Sequence, residues 1–356
     1  MGDDVKQIPD PAPRAEEGSP RRPAPTLAEV ARLAAVSTAT VSRVVNRSPN
    51  VRADTRRTVE DAIASLGYVP NRAARTLVTR RTDTIALVVS ESESRVFSDP
   101  FFPATVQGIS AAIADTELQL LLLLAQGERE HEKVARYLRQ GHVDGVILMS
   151  LHGADPLPDA LSDAGIPTVL SGRPRPGERL SFVDADNRGG ARSATAHLLS
   201  SGRTTVATIT GPLDMTVGVD RFEGYADALK EAGEVVRPEL VEHGDFGEES
   251  GARALKALLE RQPSLDAVFV ANDPMAIGAL RALRLAGRRV PEDVAVVGFD
   301  DIAGAASTSP PLTTVRQPLE RMTKAMTDLL LKRMHNPGGG DEAVVCPTEL
   351  VRRASA

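Results

Sequence analysis

From Asp83 onward the chain alternates short, almost continuously apolar segments with amphipathic helical segments. Residues 84–90 and 143–150 lack the polar–apolar alternation of a half-exposed strand, and the helical pattern of residues 128–140 lies between them. Strands buried on both faces are typical of parallel sheets covered by helices. Because some 270 residues are too many for one tidy sheet, the pattern predicts two doubly wound α/β subdomains that face each other across a cleft.

The individual elements of this region follow from the same pattern. The predicted strands are 84–90, 118–125, 143–150, 167–170, 204–210, 267–271 and 294–299, and the predicted helices are 103–114, 128–140, 187–199, 221–232, 248–261 and 274–285. Folds of this kind bind ligands beyond the carboxyl ends of their strands.

Residues 26–70 show a different pattern, with three short helical stretches. Thr26 and Glu29 match a capping box at the start of the first stretch, and Ser37 can cap a second helix over residues 38–45. A third helix is predicted to begin at a cap on Asp54 and to stop at Gly67. Two helices joined by a tight turn, with a third packed against them, indicate a helix-turn-helix domain. The alternative is a small three-helix bundle that contacts other proteins.

The second of these helices would lie in the major groove of DNA. Its open face carries short side chains that allow close approach of the backbone, together with one arginine that can form a fork onto guanine. The predicted base-reading residues are Thr38, Ala39, Ser42 and Arg43. Hydrogen-bond donors to phosphate are predicted at Ser37, Asn46, Asn50 and Thr55.

Charge is distributed unevenly along the chain. The formal net charge is −6, yet residues 21–82 carry +8 and residues 83–356 carry −11. A basic block joined to a large acidic remainder is typical of a nucleic-acid-binding module on a body with another function. The alternative is a solvated, incidentally arginine-rich helical face.

Residues 1–25, with six prolines, predict a disordered leader rather than a secretory signal. The single cysteine, Cys346, suits a reducing cytoplasm.

Residues 71–82 predict a short hinge helix that begins at Asn71. Its apolar residues, among them Ala74 and Leu77, lie on one side and its arginines on the other. Because so short a helix is marginal in water, we expect it to fold only against a dimer mate and DNA, with Leu77 as a wedge in the minor groove. An ordinary linker helix is the alternative.

Signatures of catalysis and of membrane insertion are missing from the sequence. It contains no GxxxxGK[ST], GxGxxG, GxSxG or HExxH motif, and its six histidines are scattered without metal-ligand spacing. No segment approaches the roughly 20 apolar residues of a membrane helix. We therefore expect a cytoplasmic protein that is not an enzyme, has no cofactor and no metal, and does not insert into membranes.

Polar residues at predicted strand ends indicate a site for a polar small molecule. Asn272 and Asp273 follow one strand, Asp300 follows another, and Arg221 is predicted to open a helix. Paired carboxylates, an amide and an arginine fork, together with flat aromatic rings, suit a sugar. The aromatic candidates are Phe101, Phe102 and Phe246. Asp273 could alternatively be a helix N-cap only.

Taken together, these segments resemble the lactose-repressor family. The matching runs are 26–31 (TLAEVA), 36–46 (VSTATVSRVVN), 67–74 (GYVPNRAA), 99–102 (DPFF), 186–191 (DNRGGA), 221–225 (RFEGY), 244–246 (GDF), 271–273 (AND), 297–301 (VGFDD) and 311–315 (PLTTV). Within the family, 75–84 (RTLVTRRTDT), 141–146 (GHVDGV) and Tyr68 look most like the cellobiose-responsive regulators. The pair Thr38-Ala39 departs from the bulkier residues often found there.

The resemblance implies a homodimeric repressor with an all-α helix-turn-helix head and a two-subdomain core like the periplasmic sugar-binding proteins. By this likeness Ala74 and Leu77 enter the minor groove at the centre of a palindromic operator. The implied DNA contacts also include Thr26, Leu27, Tyr68 and Asn71, and the implied effector pocket includes Ser90. A small sugar, with cellobiose or another β-glucoside as first choice, would close the core and release the operator of carbohydrate-use genes. Three alternatives stay open: a corepressor or non-sugar effector, a sugar receptor without a DNA role, and an enzyme of the doubly wound class.

The expected domains are a leader (1–25), the DNA-binding domain (26–70), the hinge helix (71–82) and the effector and dimerisation core (83–352). Within the core, one subdomain is expected to comprise 83–202 and 315–334, and the other 203–313 and 336–352.

Overall fold

The computed structural model describes residues 25–45, 48–69 and 81–356, and the chain divides into two compact units. The first unit, Met1–Arg80, is called the head, and the second, Arg81–Ala356, is called the core.

The described part of the head contains helices α1 (Leu27–Leu33), α2 (Thr38–Val45) and α3 (Ala53–Leu66). Thr26 and Glu29 form the predicted capping box, and the Ser37 hydroxyl accepts a hydrogen bond from the Thr40 amide at 3.1 Å. Gly67 ends α3 with a φ of 62°, in the left-handed region that favours glycine. The prediction that Asp54 caps α3 is wrong, because the helix begins at Ala53 and places Asp54 in its first turn.

The core is built on two six-stranded sheets, which confirms the predicted α/β class with two subdomains. Sheet 1 has the order β11-β5-β4-β3-β1-β2, and sheet 2 has the order β12-β10-β9-β8-β6-β7. Neighbouring strands run parallel except for the antiparallel pair of β10 and β12. The strands are β1 (Thr84–Val89), β2 (Gln119–Leu124), β3 (Gly145–Met149), β4 (Thr168–Ser171), β5 (Ser181–Ala185), β6 (Val206–Thr210), β7 (Val241–His243), β8 (Ala267–Val270), β9 (Ala295–Asp300), β10 (Thr313–Arg316), β11 (Ala343–Cys346) and β12 (Glu349–Val351).

Helices cover the sheets as the alternation predicted. They are α4 (Glu93–Ser98), α5 (Phe101–Ala112), α6 (Glu128–Arg139), α7 (Leu157–Asp163), α8 (Asn187–Ser200), α9 (Thr216–Glu231), α10 (Glu248–Arg261), α11 (Asp273–Leu285) and α12 (Leu319–His335), with 3-10 turns at Pro238–Leu240 and Ala303–Ser307. The sequence pattern did not single out α4, α7, α12, β5, β7 or the last three strands, most of which are short. The unit that carries sheet 1 is called the N-subdomain, and the unit that carries sheet 2 is called the C-subdomain.

The chain crosses between the subdomains at places that differ from the expected boundaries. Helix α8 was assigned to the first subdomain, yet its apolar face, including Ala194 and Leu198, packs on sheet 2 beside Phe269. Strand β10 lies wholly in sheet 2, whereas β11 pairs with β5 in sheet 1. The core also extends past residue 352, because the Ser355 hydroxyl is buried and donates to the Val296 carbonyl at 2.6 Å. Hydrophobic patterning marks these elements but does not tell which of two similar sheets each one covers.

Two glycines let α10 and α11 approach backbone to backbone in the C-subdomain. A Cβ built on Gly278 would overlap the Glu248 carbonyl oxygen, and one on Gly251 would overlap the Met275 carbonyl oxygen. This contact fixes the start of α11, which carries Asn272 and Asp273, relative to the loop that carries Phe246.

The carboxyl ends of the parallel strands in both sheets lead into the space between the subdomains. Ser90 follows β1, Gly172 follows β4, Gly211 follows β6 and Asn272 lies just beyond β8. This edge is where ligands bind in open α/β sheets.

Candidate functional site

A cavity lies between the N-subdomain and the C-subdomain. The space between its walls, counted with the open mouth, is about 910 Å³. Aromatic, charged and amide side chains from both subdomains line it. Its polar and aromatic lining residues are Arg95, Asp99, Phe101, Phe102, Ser150, Ser171, Arg173, Arg175, Glu178, Asp184, Asn187, Asp214, Thr216, Arg221, Phe246, Asn272, Asp300 and Gln317.

Arg221 organises the floor of the cavity from the second turn of α9. Its Nε donates to Asn187 Oδ1 at 2.9 Å, and its Nη1 donates to the Ala271 carbonyl at 2.6 Å. The same Nη1 lies 3.2 Å from Asp300 Oδ1, and the guanidinium carbon lies 3.7 Å from the centroid of the Phe299 ring. Burial lowers the pKa of Arg221, opposed chiefly by the Asp300 carboxylate. The guanidinium is thus held rigidly, as a group that recognises a ligand requires.

Asp300 stands at the end of β9 with a φ of 116°, which is unusual for a residue with a side chain. Gln317 Nε2 donates to Asp300 Oδ1 at 2.7 Å. Burial raises the pKa of Asp300 to about 6, against the opposing effect of the Arg221 guanidinium. Strained backbone held by surrounding contacts often occurs at ligand sites.

A second buried carboxyl, Asp184, lies at the end of β5. It accepts a hydrogen bond from Asn187 Nδ2 at 2.9 Å. Burial is the main cause that raises its pKa to about 6, with the negative charge of Asp220 acting in the same direction. Asp99, at the start of α5, is also buried, and burial likewise raises its pKa. The cleft therefore holds several carboxyls that can accept or, when protonated, donate hydrogen bonds.

We expect these carboxyls to make the stability of the core depend on pH. Because the pKa of Asp184 is about 6 in the folded chain against an ordinary 3.8, its ionisation opposes folding as the pH rises from about 4 through 6. The predicted loss of unfolding free energy is about 2–3 kcal/mol at neutral pH, at 1.36 kcal/mol per pKa unit. Urea unfolding at pH 4.5 and 7.5 measures it.

Asp184→Asn is expected to remove most of its share of this loss, and Asp163→Asn, at an exposed carboxylate of α7, serves as the matched control. A pH dependence that is identical in all three proteins would contradict the assignment to Asp184.

Aromatic rings form the side walls. Phe101 and Phe102 contact each other edge to face with centroids 5.6 Å apart, on the N-subdomain. Phe246 faces them from the C-subdomain, with a φ of 66° and its carbonyl accepting from Asn272 Nδ2 at 2.9 Å. Gly211 leaves the space that the Phe246 ring occupies, because a Cβ there would overlap the ring. These walls offer apolar faces above a polar floor.

Two further arginines line the cavity, and each pairs with a carboxylate. Arg173 Nε donates to Asp220 Oδ2 at 3.2 Å across the cleft, and Arg175 pairs with Glu178. The Thr216 hydroxyl also crosses the cleft and donates to the Arg173 carbonyl at 2.9 Å. The positive charges of Arg173 and Arg175 are therefore already paired with carboxylates.

Six of the eight predicted effector residues line the cavity, and two do not. Ser90 is buried and donates to Asp155 Oδ2 at 2.8 Å, and Asp273 is 0% exposed behind the wall. The N-cap alternative for Asp273 is also wrong. Asn272 is the cap, whereas Asp273 accepts from the Thr314 hydroxyl at 2.6 Å and from the Ile302 amide at 2.9 Å. The expectation that Arg221 opens a helix is wrong, because α9 begins at Thr216.

The sequence reasoning missed much of the lining. Arg173 follows β4, while Asp184 and Asn187 lie at the end of β5 and just after it. The rule that selected Asn272 and Asp300 applies equally to Arg173, which follows a predicted strand, and it would have found Asp184 and Asn187 had β5 been predicted. No comparable signal marks Arg95 or Gln317, which reach the cavity only through tertiary packing.

The face of α2 agrees with its predicted role in the head. Thr38, Ala39 and Arg43 are exposed and Ser42 is half-buried, while the opposite face packs into the head core through Val41 and Val44. A helix with one buried side and one open side is free to enter a groove.

The other residues predicted to contact DNA differ in how exposed they are. Tyr68 packs into the head core and is only 9% exposed, and the hydroxyls of Thr26 and Ser37 cap α1 and α2. Leu27, Asn50 and Thr55 remain at least partly exposed. Asn46, Asn71, Ala74 and Leu77, with nearly all of the leader and of the hinge segment, lie outside the described residues.

Among residues 25–45, 48–69 and 81–356, no helix is long and apolar enough to cross a membrane. Over the same residues, no cluster of three or more His, Cys, Asp or Glu side chains could hold a metal ion.

A helix-turn-helix head and a two-lobed core with a ligand cavity between its lobes define the class of ligand-responsive DNA-binding regulators. Residues 26–71 match the family described as "Bacterial regulatory proteins, lacI family", and residues 195–356 match the "Periplasmic binding protein-like domain". The HTH-type transcriptional regulator CelR of Thermobifida fusca is 50% identical over 337 residues, which cover 94% of this chain and 99% of that protein. The ribose operon repressor of Escherichia coli K12 is 34% identical over 93% of this chain and 99% of that protein. The chain therefore belongs to the LacI family of transcriptional regulators.

Solved structures agree with this assignment. The transcriptional regulator CelR–cellobiose complex covers 93% of this chain and 100% of its own, with 47% identity and a TM-score of 0.75. The lac repressor dimer bound to operator and the anti-inducer ONPF covers 93% of this chain and 98% of its own, with 27% identity and a TM-score of 0.83. The predicted family and fold are confirmed.

Proposed function

We propose that the protein is a cytoplasmic repressor of carbohydrate-use genes whose core binds a neutral saccharide, with cellobiose as the first ligand to test. The observation that carries the proposal is the cavity in which Phe101, Phe102 and Phe246 form the walls and Arg221 and Asp300 form the polar floor. Saccharides present apolar C–H faces and dense hydroxyls, so they match such a combination of walls and floor. The CelR structure in complex with cellobiose supports the choice of probe.

The charges around the cavity favour a neutral ligand over a phosphorylated one. Each lining arginine has a carboxylate partner: Arg95 has Glu91, Arg173 has Asp220, Arg175 has Glu178 and Arg221 has Asp300. An anionic ligand would meet additional buried carboxyls such as Asp184 and Asp99. Binding an anion there would leave unfavourable like charges close together in a desolvated site.

Specific donors for the ligand can be named. Arg95 Nε is buried and, among the described residues, finds no hydrogen-bond partner, although it belongs to a residue that lines the cavity. A buried donor left unsatisfied is costly. We propose that a ligand oxygen accepts from Arg95, while Arg221, Asn272 and Asp300 contact other hydroxyls.

The head would bind operator DNA through α2, and two copies of the chain would read a palindrome. The lac repressor structure, a dimer bound to operator, supports this assembly. In this proposal residues 71–82 form the hinge, with Ala74 and Leu77 in the minor groove, and the core supplies dimer contacts and control. A coupling of about 1–3 kcal/mol between effector and operator is sufficient, since it changes DNA affinity by roughly 5–150-fold.

The test is fluorescence anisotropy of the purified full chain on duplexes tiled across the DNA upstream of its gene, with and without cellobiose at constant salt. Saturable binding to one palindromic duplex that weakens with cellobiose supports the proposal. Tighter binding with cellobiose would reverse the direction to a corepressor, and unchanged binding would refute cellobiose as the effector. Turnover of cellobiose by the protein would contradict the non-enzymatic role.

Arg43→Ala is expected to weaken operator binding by about 1–3 kcal/mol and to relax specificity at one base pair, because Arg43 is the exposed fork-forming side chain of α2. Anisotropy on operators with single base-pair changes measures the effect. Arg32→Ala, at an exposed arginine of α1, is the matched control. Equal weakening of Arg43→Ala on every duplex would instead make Arg43 a phosphate contact.

A further inference from the structure

A buried carboxylate, Glu91, ties the two subdomains together beside the cavity. Glu91 follows β1 in the N-subdomain and is 7% exposed. Its Oε1 accepts from Arg95 Nη1 and lies 3.2 Å from His152 Nε2. Arg95 and His152 in turn contact two residues of the C-subdomain, Phe246 and Asp214. We call these residues, together with Glu91, the Glu91 clasp.

Both arms of the clasp cross the cleft. His152 Nδ1 lies 3.0 Å from Asp214 Oδ2, and the Gly153 amide donates to the Asp214 carbonyl at 3.0 Å. On the other arm, the Arg95 guanidinium carbon lies 4.9 Å from the centroid of the Phe246 ring, within cation–π range. The Glu91 carboxylate therefore contacts both Arg95 and His152, and each of these residues makes a separate contact with the C-subdomain.

The His152 arm depends on a proton. Each ring nitrogen of His152 faces a carboxylate oxygen, and carboxylates only accept hydrogen bonds. A neutral imidazole donates from one nitrogen and presents a lone pair at the other, whereas the imidazolium donates from both. The hydrogen bond to Glu91 is the main cause that raises the pKa of His152 above its ordinary 6.5, followed by the hydrogen bond to Asp214, against desolvation.

We propose that the Glu91 clasp holds the cleft closed in the free protein, that it does so when His152 is protonated, and that Glu91 and His152 thereby position Arg95 over Phe246 at the wall of the cavity. His152 and Glu91 are positioning residues in this scheme, acting on the ligand site through Arg95. The proposal goes beyond the proposed function, since it concerns closure of the core whichever ligand the cavity takes.

Other charged groups lie near His152. Arg175 donates to the Gly153 carbonyl at 2.6 Å and pairs with Glu178, and Asp155 accepts from Ser90 further along the same loop. The charged groups here also form the ion pairs of Arg95 with Glu91 and of His152 with Asp214. Glu91 and His152 belong to the same subdomain, so closure adds only the Asp214 contact to His152. The closed cleft is thus favoured while His152 is protonated and loses this preference as the pH rises through the raised pKa of His152.

The buried carboxyls of the cleft also favour closure at lower pH, but in a different range. The pKa values of Asp184 and Asp300 are raised to about 6, so their contribution changes mainly below that value. A comparison of the wild type with a His152 variant above pH 6.5 separates the two effects.

The experiment measures the distance between the subdomains in the free, full-length protein by double electron–electron resonance. Spin labels are placed at Arg139→Cys and Val235→Cys, exposed positions on the N- and C-subdomain, and labelled chains are diluted with unlabelled protein so that pairs within one chain dominate. Cys346 is fully buried, and the unmodified chain tests for labelling there. We expect the short-distance population of the wild type to fall at least twofold between about pH 6.5 and 8.5.

His152→Gln is expected to remove this change and to hold the distance distribution near its high-pH form, while His142→Gln, at an exposed histidine outside the cleft, keeps the wild-type response. Arg95→Gln tests the other arm and is expected to lower the short-distance population at every pH. A wild-type distribution that ignores pH in this range, or a His152→Gln protein with the full wild-type response, would overturn the proposal. Absence of cellobiose binding would refute the proposed effector but leave these distances unaffected, so the two proposals fail separately.

Discussion

Replacing Arg221 with methionine is expected to abolish the response to effector and to cost about 3–5 kcal/mol in the stability of the core. The guanidinium is buried and ties Asn187, the Ala271 carbonyl and Asp300 to one point on the cavity floor. Removing one partner of a buried ion pair leaves the other charge uncompensated, which is costlier than losing an exposed contact. Titration calorimetry with cellobiose and urea unfolding measure the two effects.

Arg284→Met, at an exposed arginine of α11 in the same subdomain, is the matched control and should change neither quantity appreciably. At low pH, where Asp300 takes up a proton, the stability deficit of Arg221→Met should shrink, because the pKa of Asp300 is already raised to about 6 and rises further without the guanidinium. A variant that binds effector normally would remove Arg221 from the binding site.

Alanine at Gly278 is expected to destabilise the core by more than about 3 kcal/mol, the upper end for overpacking. The obstacle is the Glu248 carbonyl on the neighbouring helix, and backbone cannot rotate aside as a side chain can. Because α11 begins at Asp273 beside the cavity, separation of α10 and α11 would also displace Asn272 from the Phe246 carbonyl. Thermal unfolding and effector affinity should therefore change together.

Gly304→Ala provides the comparison in the same subdomain, since a Cβ at Gly304 would meet only ordinary contacts at 3.8 Å and beyond. Similar unfolding temperatures for the Gly278→Ala and Gly304→Ala proteins would show that α10 and α11 can separate without cost. An intact effector affinity in a destabilised Gly278→Ala protein would limit the role of this contact to stability.

Local features of the head were predictable because they depend on neighbours in the sequence. The capping box of Thr26 and Glu29, the cap at Ser37 and the stop at Gly67 each involve residues within a few positions of one another. The buried face of α2 follows from the helical spacing of Val41 and Val44, which the head core buries. The one local error in the described head, Asp54 as a cap, misplaces the N-cap by two residues, because the cap is Arg52.

The effector site was predictable only in part. Residues directly after predicted strands, such as Asn272 and Asp300, were found because the carboxyl ends of parallel strands meet at one edge. Asp273 obeys the same rule but points into the protein interior, where Thr314 and Ile302 take both carboxylate oxygens. A rule based on position along a strand does not decide which neighbouring side chain faces the cavity.

The sequence by itself determined the class of fold, the helix-turn-helix head, the aromatic walls of the cleft and the family. Only the tertiary structure decided that α8 packs on sheet 2, that β11 returns to sheet 1, and that Glu91, His152 and Asp214 meet across the cleft. The physical reason is that periodicity and capping are set by residues a few positions apart. The packing partner of an element, and the contacts of Glu91 and His152, which lie 61 positions apart, are set by the free energy of the whole folded chain.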